Sequence, residues 1–583
     1  MFGVERNPYF MFHFSDPRGQ IRPRVFTDPK TVLIAHSLAE VRQALEQVDS
    51  WVKKGYYAAG YLSYEAAPAF DPAYDKTEDS KIPLLFFAIF ERETNALCHA
   101  DSARYECSPW RADTLPEVYD AHLARIKHAI AQGDTYQVNY TMRLRAQFAG
   151  DDLAYYHALR EAQQANYCAY LNIGRFRILS ASPELFFRLE GKRVITRPMK
   201  GTVRRGRWLQ EDEQLAAWLH ASEKNRVENV MIVDLLRNDL SKIPGACEVS
   251  VPSLFALERY PTVHQMTSTV SAKIGEHATF VDVLAALFPC GSITGAPKIS
   301  TMRLIAELES QPREIYCGAI GLIEPGGDAT FNVAIRTLLL DRETGEALYG
   351  VGGGITWNSE PRDEYAEALT KAALLDVHSG AFELLETMRL ECGAYMLLER
   401  HLKRLSESAK YFGMAVDLLE VRRRLAEHAL LYGDERRRVR LLVSKDGDQR
   451  IESTPFQAFQ NGPLQVAVAK VPILSSLRFL YHKTTQRTVY ETQQKDNPGC
   501  FDVLLWNERG ELTEFTNGNL VLEMDGRLVT PARDSGLLAG TFRALLLDAG
   551  ILEEKVLTIA DVHRASQVWW INSVRGWVSV HVE

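Results

Sequence analysis

Around His378-Ser379-Gly380 one hydrophobic pattern ends and another begins, and this restart limits what the chain can fold into more than any other feature. Single cores stop growing beyond about 250–300 residues, and the chain has 583. The restart therefore separates two lobes, each long enough to fold around its own core. Before it, apolar runs such as Tyr56–Leu62 and Pro83–Phe90 read as strands between Pro and Gly breaks. Residues 116–132 have helical spacing and stop at Gly133, and 223–240 is a second helix. Segments over 136–196, 329–340 and 347–357 read as strands, and 360–377 as a helix. Strands and helices come in mixed order without strict alternation, which favours an α+β class over a doubly wound sheet. After the restart, Phe382–Leu390 reads as a strand, Cys392-Gly393 as a turn and Glu399–Phe412 as a helix. The expected division is 1–110 as the amino-terminal part of the first lobe, 111–378 as its catalytic part, and 381–583 as the second lobe.

Composition narrows the function. Lys plus Arg is 67 against 75 Asp plus Glu, a net charge of −8, where a nucleic-acid binder would show a basic excess. No apolar run approaches the ~18 residues of a membrane span, and the opening residues lack the basic-then-apolar pattern of a secretory leader. The eight cysteines form no CxxC pair and read as buried thiols in a reducing compartment. The expectation is a cytoplasmic enzyme with no nucleic-acid or membrane partner.

In the first lobe, Glu364, Glu367 and Lys371 project from one helix face. Carboxylates one turn apart suit Mg²⁺, which uses one or two of them plus substrate oxygens; a solvated Glu367–Lys371 pair is the other reading. The helix over 223–240 is apolar in its middle yet interrupted by Glu228, Asp234, Arg237 and Asp239. Buried carboxylates need a cation or an Arg partner, and an internal Asp–Arg bridge fits the last three better than Glu228. The glycines at 350 and 352–354 lack the last Gly and the helix of a dinucleotide site, but permit close backbone approach to an anion. Thr294 to Lys298 opens a helix, with Thr294 as its cap and Lys298 in its first turn. Arg336, read inside the apolar strand 332–337, could clamp a carboxylate. Lys200 lies on a Pro/Gly-bounded loop with Arg197, Arg204 and Arg205; neighbouring cations lower a lysine pKa and favour its use as a nucleophile.

In the second lobe, Arg404 lies beside the apolar stripe of a helix, Lys483 has aromatic neighbours, and Glu514 follows a turn at 507–510. Gly540-Thr541-Phe542 opens a helix whose N–H groups could cradle a phosphate. A lysine, an acid, an Arg and a helix N-terminus are what pyridoxal phosphate requires.

Taken in order, Ser182-Pro183-Glu184, Arg197-Pro198-Met199-Lys200-Gly201-Thr202, Glu228 with Asp234 to Leu240, His264, Gly295-Ala296-Pro297-Lys298, Asn332 to Thr337, Gly352 to Ile355, and Ser359 to Lys371 resemble the chorismate-utilising enzymes from about Tyr119 to Val377. The resemblance implies an α/β sandwich holding Mg²⁺ and chorismate. It assigns Glu228 and Glu367 as direct metal ligands, Glu364 as an outer one, and His264, Lys298, Arg336, Gly353 and Gly354 as substrate-binding; Asn225 replaces a water-mediated carboxylate. Lys200 marks the branch that aminates ring C4, whereas the branch that makes 2-aminobenzoate carries Ala there. The implied partners are chorismate and ammonia, the latter from a separate glutaminase subunit or from free ammonium, because no Gly-x-Cys-x-Gly elbow is present.

The second lobe, from Leu385 to about Gly576, resembles the class IV, branched-chain-type aminotransferases, which implies an α+β lobe. There Lys483 is implied as the Schiff-base lysine and proton carrier and Glu514 as the partner of the pyridine nitrogen. Arg404 and the backbone at Gly540, Thr541 and Phe542 would hold the phosphate. The fusion implies aminodeoxychorismate formation followed by pyruvate elimination to 4-aminobenzoate, for folate synthesis; a homodimer through the second lobe is left open. The alternatives are a 2-aminobenzoate-forming lobe joined to an amino-acid transaminase, or a second lobe kept only for dimerisation.

Overall fold

A computed structural model of the chain describes residues 8–75, 80–94, 104–376, 382–457 and 464–583. The restart at His378–Gly380 lies outside the described residues. The chain divides into two compact units. The first is Met1–Arg204 with Ala216–Ser379; the second is Gly380–Glu583 together with Arg205–Leu215, a segment that the sequence pattern leaves inside the first lobe.

The first unit holds two large sheets, each of ten strands and antiparallel at every pairing. The amino-terminal strands are woven into both rather than set apart: Tyr9–Phe14 pairs with Tyr167–Asn172, and Tyr57–Leu62 pairs with Ala319–Ile323. Tyr9–Phe14 shows why the strands are apolar on both faces. Phe10 and Phe12 pack with Tyr61, Phe86 and Ile320 of the other sheet, while Tyr9 and Met11 face a core shared with the helices Pro116–Gln132 and Asp152–Gln163. A strand alternates its side chains, so burial on both faces removes the polar half of the alternation. On the other sheet, Leu38–Lys53, Glu223–Ser241 and Phe280–Leu287 cover the outer face. The unit is thus a sheet-on-sheet sandwich with helices outside each layer.

Several expected elements shift. Leu38–Lys53 is a helix in a region read as strands; Ser37 and Glu40 form its capping box, and Val41, Leu45, Val48 and Val52 supply its buried stripe. The run read as one strand over 329–340 is two, Ala329–Val333 and Thr337–Asp341, in different sheets. Arg336 therefore lies at the crossover, with φ 52°, and not within a strand. The helix after Ala296 begins at Lys298 with Pro297 as its cap, so Thr294 does not cap it. The glycines at 350 and 352–354 lie inside the strand Glu346–Ile355, close to the expected 347–357.

The second unit has a four-stranded sheet built on Leu384–Glu391 and an eight-stranded sheet with parallel and antiparallel pairs. The turn at Cys392-Gly393 is present, with both residues at positive φ. Within this unit the Arg205–Leu215 segment is held at several points. The Tyr411 hydroxyl donates to the Gly206 carbonyl at 2.7 Å, Arg205 donates to the Tyr411 carbonyl at 2.8 Å, and Trp208 lies 5.2 Å from the Tyr481 ring. No helix among the described residues is long and apolar enough to cross a membrane.

Candidate active sites

The first cavity forms where four parts of the first unit meet. Lys200 enters from Met199–Arg204, whose pairing with Val263–Lys273 shifts register between Met199 and Thr202. Such a bulge re-aims a side chain, and Gly201 supplies the left-handed φ of 95° that it needs. The helix Glu223–Ser241 brings Asn225 and Glu228, and the helix Pro361–Ala372 brings Glu364, Glu367 and Lys371. The glycine strand forms a floor with no side chains. A Cβ at Gly353 would lie 3.4 Å from Glu364 Oε2, and one at Gly354 would lie 3.2 Å from Lys200 Nζ. Arg336 lines the same cavity and donates to Gln163 Oε1 at 2.9 Å.

Two of the expected substrate groups lie elsewhere. Lys298 is absent from the cavity lining, because its buried ammonium is held 2.8 Å from Asp239. That contact also corrects the Asp–Arg bridge: Asp239 pairs with Lys298 and Lys242, while Asp234 and Arg237 form an exposed pair at 2.9 Å. His264 is buried in the strand Val263–Lys273, opposite Val203 and Arg259, and does not line the cavity.

Charge is the main content of this cavity. Burial pushes the Lys200 ammonium pKa down, against the pull of the Glu228 and Glu184 carboxylates. Glu184, buried just before the strand Leu185–Glu190, is driven up to about 7 by burial, although Ser292 Oγ donates to it at 2.6 Å. It lines the cavity and was missed as a site residue, since nothing in the sequence around Pro183 marks a carboxyl as buried. Glu228 and Glu364 are also raised, by burial first; Glu364 and Glu367 add to the rise at Glu228, and Glu367 to that at Glu364. Glu367 is lowered by Lys371, 2.8 Å away; Lys371 also donates to the Gly352 carbonyl at 2.9 Å. The Glu367–Lys371 pair of the second sequence reading is thus present, and its residues also form part of the cavity wall.

Among the described residues no three acidic, His or Cys side chains converge tightly enough to hold a metal unaided. The crowded carboxylates nevertheless suit Mg²⁺, which takes one or two protein carboxylates and completes its shell from substrate and water.

In the second unit, Lys483 and Glu514 line one cavity with Arg404, Gly540 and Thr541. Burial, helped by Arg404 and Arg487, pushes the Lys483 amine down to about 7. Burial raises Glu514 to about 7 even though it accepts from Tyr490 Oη at 2.8 Å, the Leu538 N–H at 3.1 Å and Asn519 Nδ2 at 3.2 Å. Arg404 is gripped by the buried Glu386 through Nε at 2.9 Å and Nη2 at 2.6 Å. Burial would raise Glu386, but Arg404 and His401 outweigh it and hold the carboxyl at about 2. His401 carries the network onward, with Nδ1 2.6 Å from Glu386 and Nε2 3.2 Å from Thr541 Oγ1. Glu386, His401, Tyr490 and Asn519 were not foreseen as site groups; the one signal for Glu386 is a charge within an apolar strand.

Gly540 caps the helix Thr541–Asp548, and a Cβ there would fall 2.0 Å from Asn519 Oδ1. The Phe542 side chain packs into the core with Val521 and Ile571 and does not line the cavity, so only its backbone is available to a ligand. The buried Glu514 carboxyl calls for a cationic partner, which the pyridinium nitrogen of pyridoxal phosphate supplies. The residues present fit that cofactor.

Residues 95–376 match the family described as chorismate binding enzyme, and residues 383–582 match amino-transferase class IV. Aminodeoxychorismate synthase component 1 of Escherichia coli is 39% identical over 264 residues, 45% of this chain and 58% of that protein. Anthranilate synthase component 1 of Aquifex aeolicus is 37% identical over 267 residues, 46% of this chain and 53% of that protein. The chain thus spans a little over half the length of these curated relatives. The solved anthranilate synthase component I of Streptococcus pneumoniae superposes with a TM-score of 0.52 at 24% identity, covering 64% of this chain and 92% of that one; it shares the fold of the sandwich.

Proposed function

We propose, from the premise that residues 95–376 belong to the chorismate binding enzymes and residues 383–582 to the class IV aminotransferases, that this chain makes 4-aminobenzoate in two steps. The first lobe converts chorismate and ammonia to 4-amino-4-deoxychorismate. The second removes pyruvate from that product. The observation that carries the reading is that each cavity pairs a lysine of depressed basicity with a buried glutamate at about 7, the pairing that nucleophilic and proton-transfer chemistry need near neutral pH.

In the first cavity, the neutral Lys200 amine forms a bond to ring C2 as both ring double bonds shift by one position and the C4–O bond breaks. Glu184, protonated to a useful fraction near pH 7, donates its proton so that the hydroxyl leaves as water. Ammonia then adds at C4, both double bonds shift back, and the Lys200 nitrogen leaves C2. A nucleophile of this kind explains why substitution returns to C4: two successive allylic displacements restore the position. Glu228, Glu364 and Glu367 would hold Mg²⁺, which would neutralise the substrate's ring carboxylate, and Arg336 offers a guanidinium to the other.

In the second cavity, Lys483 would bear pyridoxal phosphate, whose ring when bound acts as an electron sink. Arg404 and the N–H groups at the start of Thr541–Asp548 would grip the phosphate, and Glu514 would keep the pyridine nitrogen protonated. The Lys483 amine, at about 7, both takes and returns protons near neutrality. Ammonia is supplied by a separate glutamine amidotransferase subunit.

The test is to incubate the full chain with chorismate, ammonium, Mg²⁺ and pyridoxal phosphate. The expected product is 4-aminobenzoate with pyruvate, with ammonium used far better than glutamine. Release of 2-aminobenzoate instead would overturn the reading of the first lobe, and accumulation of aminodeoxychorismate would overturn that of the second.

A further inference from the structure

A third cavity lies within the second unit. Its wall includes Trp208 and Gln210 from the Arg205–Leu215 segment, Lys403 and Glu407 from the helix Leu398–Phe412, and Tyr481 and Arg533. Arg404 and Thr541 line it as they line the cofactor cavity, but Trp208, Lys403 and Arg533 are absent from the cofactor cavity's lining. None of these three has a part in the two-step reading.

Arg533 is the group that calls for a ligand. Its guanidinium lies over the Trp208 ring, 4.4 Å from the centroid, yet its Nε is buried without a hydrogen-bond partner and it forms no ion pair among the described residues. The other guanidiniums of this wall are matched, Arg400 by Asp548 at 2.7 Å and Arg404 by Glu386 at 2.6 Å. Burial lowers the Arg533 pKa and the charge of Arg543 adds to the fall, although Glu407 and Glu554 pull the other way. Glu407 accepts from Gln210 Nε2 at 3.2 Å instead of closing on Arg533. Lys403, exposed one turn before Glu407, forms no ion pair among the described residues either. His482 adds no charge to the wall near neutral pH, since burial and then Arg533 bring it down to about 3. A half-buried guanidinium with an unmet donor is costly, and an anion beside it offsets that cost.

An Arg and a Lys together present more N–H donors than the two oxygens of a carboxylate take up, whereas the three oxygens of a phosphate suit them. Trp208 and Tyr481, with ring centroids 5.2 Å apart, add aromatic surface beside the charge. We propose that this cavity binds a phosphate-bearing anion, held by Arg533 and Lys403 against Trp208. Occupancy also ties the Arg205–Leu215 segment to the rest of the second unit, because Trp208 and Gln210 belong to the wall.

The full chain is first loaded with pyridoxal phosphate, so that the cofactor's own phosphate fills its seat in the second cavity. It is then titrated calorimetrically with inorganic phosphate, phenyl phosphate and benzoate. Saturable binding of phosphate is expected, with benzoate at least about tenfold weaker. R533Q and K403Q should each weaken phosphate binding about tenfold or more. Phenyl phosphate binding more tightly than inorganic phosphate assigns an organic ester, and equal affinities assign free phosphate; either upholds the site. Amide exchange over residues 205–215 should slow on saturation, and unchanged exchange would place the anion elsewhere. No phosphate binding to the loaded chain, equal binding of benzoate, or unchanged affinity in both variants overturns the proposal. Should R533Q fail to fold, K403Q, at an exposed helix position, is judged alone. A chain that takes up no cofactor is titrated unloaded; loss of phosphate binding in the two variants there upholds the site and sinks only the cofactor assignment.

Discussion

The two cavities share a centre and differ in everything around it. Each sets a lysine whose ammonium is destabilised by burial beside a buried glutamate at about 7. In the first, carboxylates on two helices, Glu228, Glu364 and Glu367, stand among the cations Lys224, Lys371 and Arg336; in the second the surroundings are chiefly arginines, among them Arg404, Arg438 and Arg575. On the proposed reading, the carboxylates of the first cavity would take a divalent cation and the arginines of the second would take phosphate. The comparison teaches that the lysine–glutamate pair sets the reactivity, while the charge of the encircling side chains sets what can enter.

The comparison breaks most directly at the lysines. Lys200→Ala should abolish conversion of chorismate, a loss of more than about 10³-fold, while aminodeoxychorismate supplied from outside still yields 4-aminobenzoate. Lys483→Ala should do the reverse, leaving the first step and letting aminodeoxychorismate accumulate, as product chromatography would show. Equal loss of both steps in either variant would mean that the sites are not independent.

Glu184→Gln sharpens it. The variant retains Lys200 but has no proton for the departing hydroxyl, so the first step should slow by roughly 10²–10⁴-fold. The pH profiles should also diverge. Glu184 acts as a donor, so the first step should decline as pH rises through about 7. Lys483 must be unprotonated to bind the aldehyde, so cofactor uptake should speed up over the same range, as visible absorbance would report. Parallel profiles would contradict this assignment.

Smaller effects probe the surrounding charges. Chelation of divalent ions should stop the first step and spare the second, with recovery on adding Mg²⁺. Glu386→Gln should weaken pyridoxal phosphate binding, because Arg404 loses its anchor; truncating one side of a buried charge pair costs about 2–5 kcal/mol, measured as the Kd for the cofactor. Glu386 also sets an acid limit. Its carboxyl, lowered from 4.5 to about 2, contributes stability that is present above pH ~4.5 and is lost as pH falls toward 2. The variant should show less of that acid-dependent unfolding.

What could be read beforehand follows from how local each cause is. The helix Glu223–Ser241 and the stop at Gly133 were legible because apolar spacing and a left-handed glycine are properties of a few adjacent residues. The helix Leu38–Lys53 was legible in principle through Ser37 and Glu40, but neighbouring strand-like runs masked it. Arg336 was misplaced because 329–340 is apolar throughout, and only the sheet arrangement shows that the chain changes layer there. The ordered motifs led to Lys200, Glu228, Glu364 and Glu367, which do share a cavity. They also led to Lys298 and His264, whose burial away from it depends on distant partners such as Asp239. Glu184 and Glu386 escaped for the same reason, since a carboxyl's burial is decided by parts of the chain far away in sequence.

The excursion of Arg205–Leu215 has a practical outcome. These residues lie between Lys200 and Glu228 along the backbone, yet they pack with the second unit through Gly206, Trp208 and Tyr411. A gene split at codon 380 would strand that strap on the wrong fragment, leaving Trp208 without Tyr481 in one product and Tyr411 without its carbonyl acceptor in the other. Anyone dissecting the two activities would do better with point substitutions in the intact polypeptide than with truncations.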